Sequence, residues 1–269
     1  MIGLNSGLLG VRRTPTTGSA SGIWVPNEQS LAKRAAIWPI GPTGNPITSL
    51  SPVLWYDFAD ESTVTTSSGE ITQITDKGSR GWTLTKSTTG PQYVTGINSK
   101  KCVDWGSSNH SNYLRNTDTT STNIAEIYVV MDNAGGTSGA YEGFAGLLTG
   151  TGGAAWYLLG SGTTYYSNAT FNRAYINGSA TDRFSSSHFN APSVDDPALV
   201  RIVNDASSAQ SATDGIQIGN DRTNANRGWK GLIGEYVIFS SVLSSTDRDA
   251  VQTWLAAKWG ITLEGQGNG

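Results

Sequence analysis

Residues 228–261 read GWKGLIGEYVIFSSVLSSTDRDAVQTWLAAKWGI. Within them Leu232–Phe239 is a run of β-branched and aromatic residues of strand length. Ser244 and Asp247, three residues apart, then give a helix start of capping-box type, with Asp in place of Glu. Val251, Trp254, Leu255 and Trp259 follow at i, i+3, i+4 and i+8, which is one helical face. Gly260 supplies a left-handed stop. This order predicts a helix that lies on a sheet and fills a gap there with two indoles.

Upstream, from Pro52 onward, short runs rich in Val, Ile, Tyr, Trp and Thr recur at 53–58, 71–77, 82–87, 100–105, 124–132, 154–161, 173–178, 198–205 and 215–221. Gly, Asn, Asp and Ser clusters separate them, so they read as strands joined by turns. Asn177-Gly178 suits a two-residue hairpin turn that needs positive φ at both positions. About ten strands with no helix between them predict an all-β fold, a two-sheet antiparallel sandwich.

Composition agrees. Charged residues make up 14% of the 269, against roughly 25% in ordinary soluble domains, so the polar surface is mostly hydroxyl and amide. A hydrophobic share of 37% with nine Trp and ten Tyr argues against disorder. A net charge of −3 offers no field for nucleic acid. Cys102 stands alone, which excludes a disulfide within the chain and any multi-cysteine zinc site, and it reads as a buried apolar residue. MIGLNSGLLGVRRTP does not resemble a secretory signal, and no run approaches the ~18 apolar residues of a membrane helix. Assembly in a cytoplasm, with no membrane partner, is the expectation.

Residues 1–48 obey other rules. They hold five of the nine prolines (Pro15, Pro26, Pro39, Pro42 and Pro46) and a basic set, Arg12, Arg13, Lys33 and Arg34. Residues 28–37 alone suit a short helix, with Asn27 as its cap. Trp24, Leu31, Ile37 and Trp38 need a surface to sit on. An arm that docks on another subunit through Arg12, Arg13, Trp24, Lys33, Arg34 and Trp38 is therefore expected, followed by a domain over 49–263 and a tail over 264–269.

Trp229, Gly231, Ile233, Glu235, Leu243, Ser244, Asp247, Arg248, Lys258, Trp259 and Gly260 form a pattern that resembles the end of a laminin-G-like or concanavalin A-like jelly roll. Trp55, Asp57, Asp76 and Gly78 resemble the opening strands of such a domain, so the likeness brackets roughly 50–263. SGIWVPNEQSLAKRAAIWP (21–39) is similar to leaders on structural proteins of tailed bacteriophages, marine and cyanobacterial ones above all. The resemblance implies a jelly roll with one C-terminal helix behind an extended arm. It also implies a virion location, other capsid or tail subunits as partners, and a homo-oligomer, a trimer by analogy. The part played would be a capsid decoration, a head fibre, or a tail-fibre adhesin for host surface glycan. A carbohydrate-active enzyme or a free lectin of the concanavalin A-like superfamily is the alternative.

Candidate chemistry is sparse. Retaining glycosidases hold two carboxylates ~5 Å apart, whereas Glu126 and Asp132 at the ends of EIYVVMD are separated by about 20 Å of strand. Glu142, Asp195 and Asp196 fall in loop-like text. GSASG (18–22) lacks the serine of a nucleophile elbow. His110 and His188 sit in polar turn-like text, and GTGGAAW (150–156) lacks the lysine of a phosphate loop. The expectation is that the chain is no enzyme and needs no cofactor. Laminin-G-like domains often hold one Ca²⁺, and Asp57, Asp76, Asp104, Asp205 and Asp221 are the oxygen donors at hand. For glycan the candidates are Tyr165, Tyr166, Asn168 and Asn172, with SSNHSNY (107–113) of similar make-up.

Overall fold

The computed structural model describes residues 44–106, 112–118, 122–132, 142–146, 157–161, 164–167, 173–180, 188–190, 197–203, 210–212, 215–220 and 228–264. The chain divides into two compact units, Met1–Pro46 and Ile47–Gly269. Nearly all of the first lies outside the described residues, and with it Arg12, Arg13, Trp24, Lys33, Arg34 and Trp38. The described strands all belong to the second.

A short helix, α1 (Pro46–Leu50), leads into β1 (Leu54–Asp57). Next come β2 (Val64–Ser67), β3 (Glu70–Ile74), β4 (Leu84–Lys86), β5 (Gln92–Thr95), β6 (Lys101–Asp104), β7 (Leu114–Arg115), β8 (Thr122–Ile124), β9 (Glu126–Asp132) and β10 (Glu142–Gly146). The chain continues through β11 (Tyr157–Ser161), β12 (Thr164–Ser167), β13 (Arg173–Ile176), β14 (Ser179–Ala180), β15 (His188–Asn190), β16 (Ala198–Val203), β17 (Gln210–Ala212) and β18 (Gln217–Ile218). It closes on β19 (Leu232–Phe239) and α2 (Ser245–Trp259). The fold is all-β with one substantial helix, as expected, but it has nineteen described strands and not ten.

Every described pairing is antiparallel. β19 lies between β1 and β9: Leu54, Trp55, Tyr56 and Asp57 face Ile238, Val237, Tyr236 and Glu235, while β9 runs along the other edge. β9 pairs β16, and β16 pairs β13. The first two residues of β19 also pair β6, whose other edge carries β5. The strand expected over 124–132 breaks at Ala125, because β8 leaves to pair with β17.

Side-chain alternation splits this sheet between two apolar clusters. Leu54, Tyr56, Ile127, Val129, Met131, Val200, Ile202, Tyr236 and Ile238 join one, with Leu84, Val103, Leu114 and Ile218 from other strands. Trp55, Tyr128, Val130, Leu199, Val237 and Phe239 point to the opposite face, where Val251, Leu255 and Trp259 of α2 cover them. A bulge in β19 between Ile233 and Glu235 offsets the alternation, so that Ile233 and Tyr236 share the first cluster although three residues apart. Gly234 sits in that bulge because α2 crosses it closely. A Cβ there would lie 2.6 Å from the Trp259 ring.

The helix ends match their sequence signals. Ser244 Oγ accepts from Asp247 N at 3.2 Å and donates to Asp247 Oδ2 at 2.7 Å. Gly260 is left-handed at φ 66, ψ 30. Trp259 is fully buried, but Trp254 is only half-buried, so one indole fills the gap and not two. Gln252 and Arg248 are buried instead, because the buried stripe turns away from Trp254. Ser244→Ala removes a cap worth about 1 kcal/mol, and should lower the thermal midpoint by about 2–4 °C in calorimetry. Asn177 and Gly178 both have positive φ, 51 and 86, in the β13–β14 turn.

Candidate functional site

β1, β19 and α2 bring five side chains of the resemblance motif into one network. Glu235 is 1% exposed. Its Oε1 accepts from Trp55 Nε1 at 2.7 Å. Its Oε2 accepts from Trp259 Nε1 at 2.7 Å and from Lys258 Nζ at 2.6 Å. Lys258 Nζ also donates to Asp57 Oδ1 at 2.6 Å, across from Glu235 in the β1–β19 register. Lys77 continues the chain of charges, with Nζ 3.3 Å from Asp57 Oδ2 and 2.6 Å from Asp60 Oδ2. The same ammonium lies 4.3 Å from the Trp55 ring centroid. Burial pushes the Glu235 carboxyl above the usual carboxylate range; Lys258 opposes that and Asp57 adds to it.

Beside this network Asp76 organises the turn after β3. Oδ1 accepts from Trp55 N and Gly78 N at 2.7 Å each, and Oδ2 from Trp82 N at 3.1 Å. Burial raises its pKa and these backbone donors work against the rise. On the far side of the α2 face Glu126 is fully buried. Its Oε1 accepts from Tyr128 Oη at 2.5 Å and Arg201 Nε at 2.6 Å, and its Oε2 from Leu243 N at 2.8 Å. Arg201 stacks 4.4 Å from the Tyr175 ring centroid.

A pocket of about 190 Å³ opens at the start of β1. Thr48, Ser51, Pro52, Trp55, Lys77, Gly78 and Ser79 line it. Lys77 and Trp55 belong to both the network and the pocket wall.

The sequence-level candidates fare unevenly. Glu126 and Asp132 occupy the two ends of β9, as read, and Glu126 is held by Arg201. Of the calcium candidates, Asp57 holds two lysines, Asp76 three backbone N–H groups, and Asp104 Oδ1 the Gly106 N–H at 2.7 Å. No cluster of three or more His, Cys, Asp or Glu is placed for a metal among the described residues. Asp205 and Asp221 lie outside them, as do Asn168, Asn172, His110, Asp195 and Asp196. Tyr165 and Tyr166 lie in β12 and His188 in β15, opposite Tyr166. Cys102 is fully buried, as read. No described helix is long and apolar enough to cross a membrane. Spacing could not reveal the Glu235 network or the pocket, because Trp55 and Glu235 are 180 residues apart.

No family model matches the chain, and no curated protein matches it. Solved structures similar to it include an arabinofuranosidase complexed with arabinofuranosyl-α-1,2-xylobiose, at TM-score 0.46 and 16% identity over 81% of this chain and 61% of that one. Another is an α-L-arabinofuranosidase soaked with a cyclic sulfate inhibitor, at TM-score 0.48 and 17% identity over 79% and 60%. A third is the Trypanosoma rangeli sialidase with the inhibitor DANA, at TM-score 0.43 and 10% identity over 78% and 34%. The chain thus spans less than two thirds of each of these proteins. All three are glycoside hydrolases, and against them the expectation that the chain is no enzyme does not stand.

Proposed function

We propose that the chain is a structural component of a tailed-phage particle. Residues 1–48 would anchor it to neighbouring capsid or tail subunits, and a laminin-G-like jelly-roll sandwich would face outward as a glycan-binding surface. The observation that carries the fold part is the network itself. Trp55, Asp57, Glu235, Lys258 and Trp259 carry the likeness to such domains in sequence, and they are the residues that fasten α2 to β1 and β19. The first apolar cluster also gathers side chains from β1, β9, β16 and β19 and from β3, β4, β6, β7 and β18, as a two-sheet core requires. For the virion part, the arm combines indoles with four basic residues, the make-up of a segment that docks by burial and charge pairing. Many copies on one particle would turn weak sugar contacts into firm attachment.

Immunogold labelling of intact particles, with antibody against the full chain, tests this reading. Label over heads identifies a decoration or head fibre, and label at tails an adhesin. No label on any particle removes the virion reading. Release of reducing ends from a polysaccharide by the purified chain would then favour a carbohydrate-active enzyme.

A further inference from the structure

The pocket at the start of β1 is walled by a backbone that the fold holds rigidly. Lys77 N donates to Trp55 O at 2.8 Å, Ser79 N to Pro52 O at 2.9 Å and Arg80 N to Val53 O at 3.0 Å, so the turn after β3 is zipped to the approach of β1. Gly78 has no room for a side chain, since a Cβ would come within 2.7 Å of Leu54 Cα and Val53 O. On the approach to β1 Ser51 is held at φ 50, a left-handed conformation that costs a non-glycine residue about 1 kcal/mol or more and clusters at binding sites. Such a wall is organised before any ligand arrives.

Its chemistry selects a ligand class. Thr48, Ser51 and Ser79 offer hydroxyls that both donate and accept, while Trp55 and Pro52 offer an apolar wall. Hydroxyls around an indole suit a molecule with alternating hydroxyl and C–H faces. Charge excludes anions. Lys77 is the charged residue of the lining, and it already bonds Asp57 and Asp60. The volume, about 190 Å³, lies below the roughly 300 Å³ of drug-sized sites and admits one ring, not a chain.

We propose that this pocket is a subsite for a single neutral sugar ring, with Ser51 and Ser79 in its lining. The inference rests on the glycan half of the function proposed above and is independent of virion location. Saturation-transfer difference NMR on the full chain tests it, with methyl glycosides of glucose, galactose, mannose and N-acetylglucosamine beside those of glucuronic and N-acetylneuraminic acid. At least one neutral glycoside should show transfer to its ring protons, and the acidic ones should show none. Ser79→Trp, at an exposed position, should fill the pocket and abolish the signal with the thermal midpoint unchanged. Ser51→Gly removes a hydroxyl but suits the left-handed backbone, so it should weaken transfer without loss of stability. Signal that survives Ser79→Trp overturns the pocket and leaves sugar binding elsewhere on the chain. A preference for the acidic glycosides overturns the charge argument, and no transfer from any sugar overturns both the pocket and the glycan half of the function.

Discussion

Replacing Lys258 by methionine is expected to destabilise the domain by about 3–5 kcal/mol near pH 8, the usual cost of stripping a buried carboxylate of its counter-ion. Glu235 would keep two indole donors but lose the only ammonium that touches it among the described residues. The cost should depend on pH in a stated direction. Glu235 has its folded pKa raised, by burial first, so ionisation penalises the fold as pH rises from the unfolded value upward through the folded one. Lys258 holds that rise down, so its loss lifts the folded pKa further and widens the window. Below that window Glu235 is protonated and needs no counter-ion. Urea melts of wild type and Lys258→Met should therefore diverge most on the alkaline side of that window and draw together as the pH falls below it. A difference constant with pH would mean that Lys258 acts through packing and its Asp57 contact, and not through Glu235.

A comparable loss, about 3–5 kcal/mol, is expected for Arg201→Met. The Arg201 and Glu126 side chains are 4% and 0% exposed, with Nε 2.6 Å from Oε1. The variant leaves a fully buried carboxylate with only Tyr128 Oη and Leu243 N to hold it among the described residues. Adding Glu126→Gln removes that charge while keeping the shape and an acceptor, so the double variant should be more stable than Arg201→Met alone. A double-mutant cycle read by urea denaturation measures this as a coupling energy. Additive losses would show that the two side chains stabilise the sheet separately.

Lys258, Glu235, Arg201 and Glu126 stand plainly in the sequence, but in neighbourhoods that hide their partners. Leu232–Phe239 was readable as a strand to the residue, because its eight residues are β-branched or aromatic apart from Leu232, Gly234 and Glu235. The helix was readable from its two ends, since capping and the glycine stop are local. Strands without an apolar stripe left no such trace. Val64–Ser67 is mostly exposed and Gln92–Thr95 has both ends exposed, so neither shows an alternation strong enough to notice. At 215–221 a seven-residue strand was expected; the described strand there is Gln217–Ile218, which stops where Gly219 turns left-handed at φ 91, and Asn220 forms an isolated bridge with Gly228. Glu126 was weighed against Asp132, its neighbour along the strand, while its true partner lies 75 residues away on β16. Local physics was legible; the meeting of distant polar groups was not.

The pairing of β1 with β19 has a consequence in time. During synthesis at roughly 5–20 residues per second, the chain from Trp55 to its partner Glu235, 180 residues on, takes about 10–40 s to emerge. Through that interval Leu54–Asp57 has neither its strand partner nor the helix that covers Trp55. A nascent chain must therefore keep an apolar, unpaired strand out of contact with others until almost the whole domain has been made. Slow closure and a need for chaperones are the expected marks of its biogenesis.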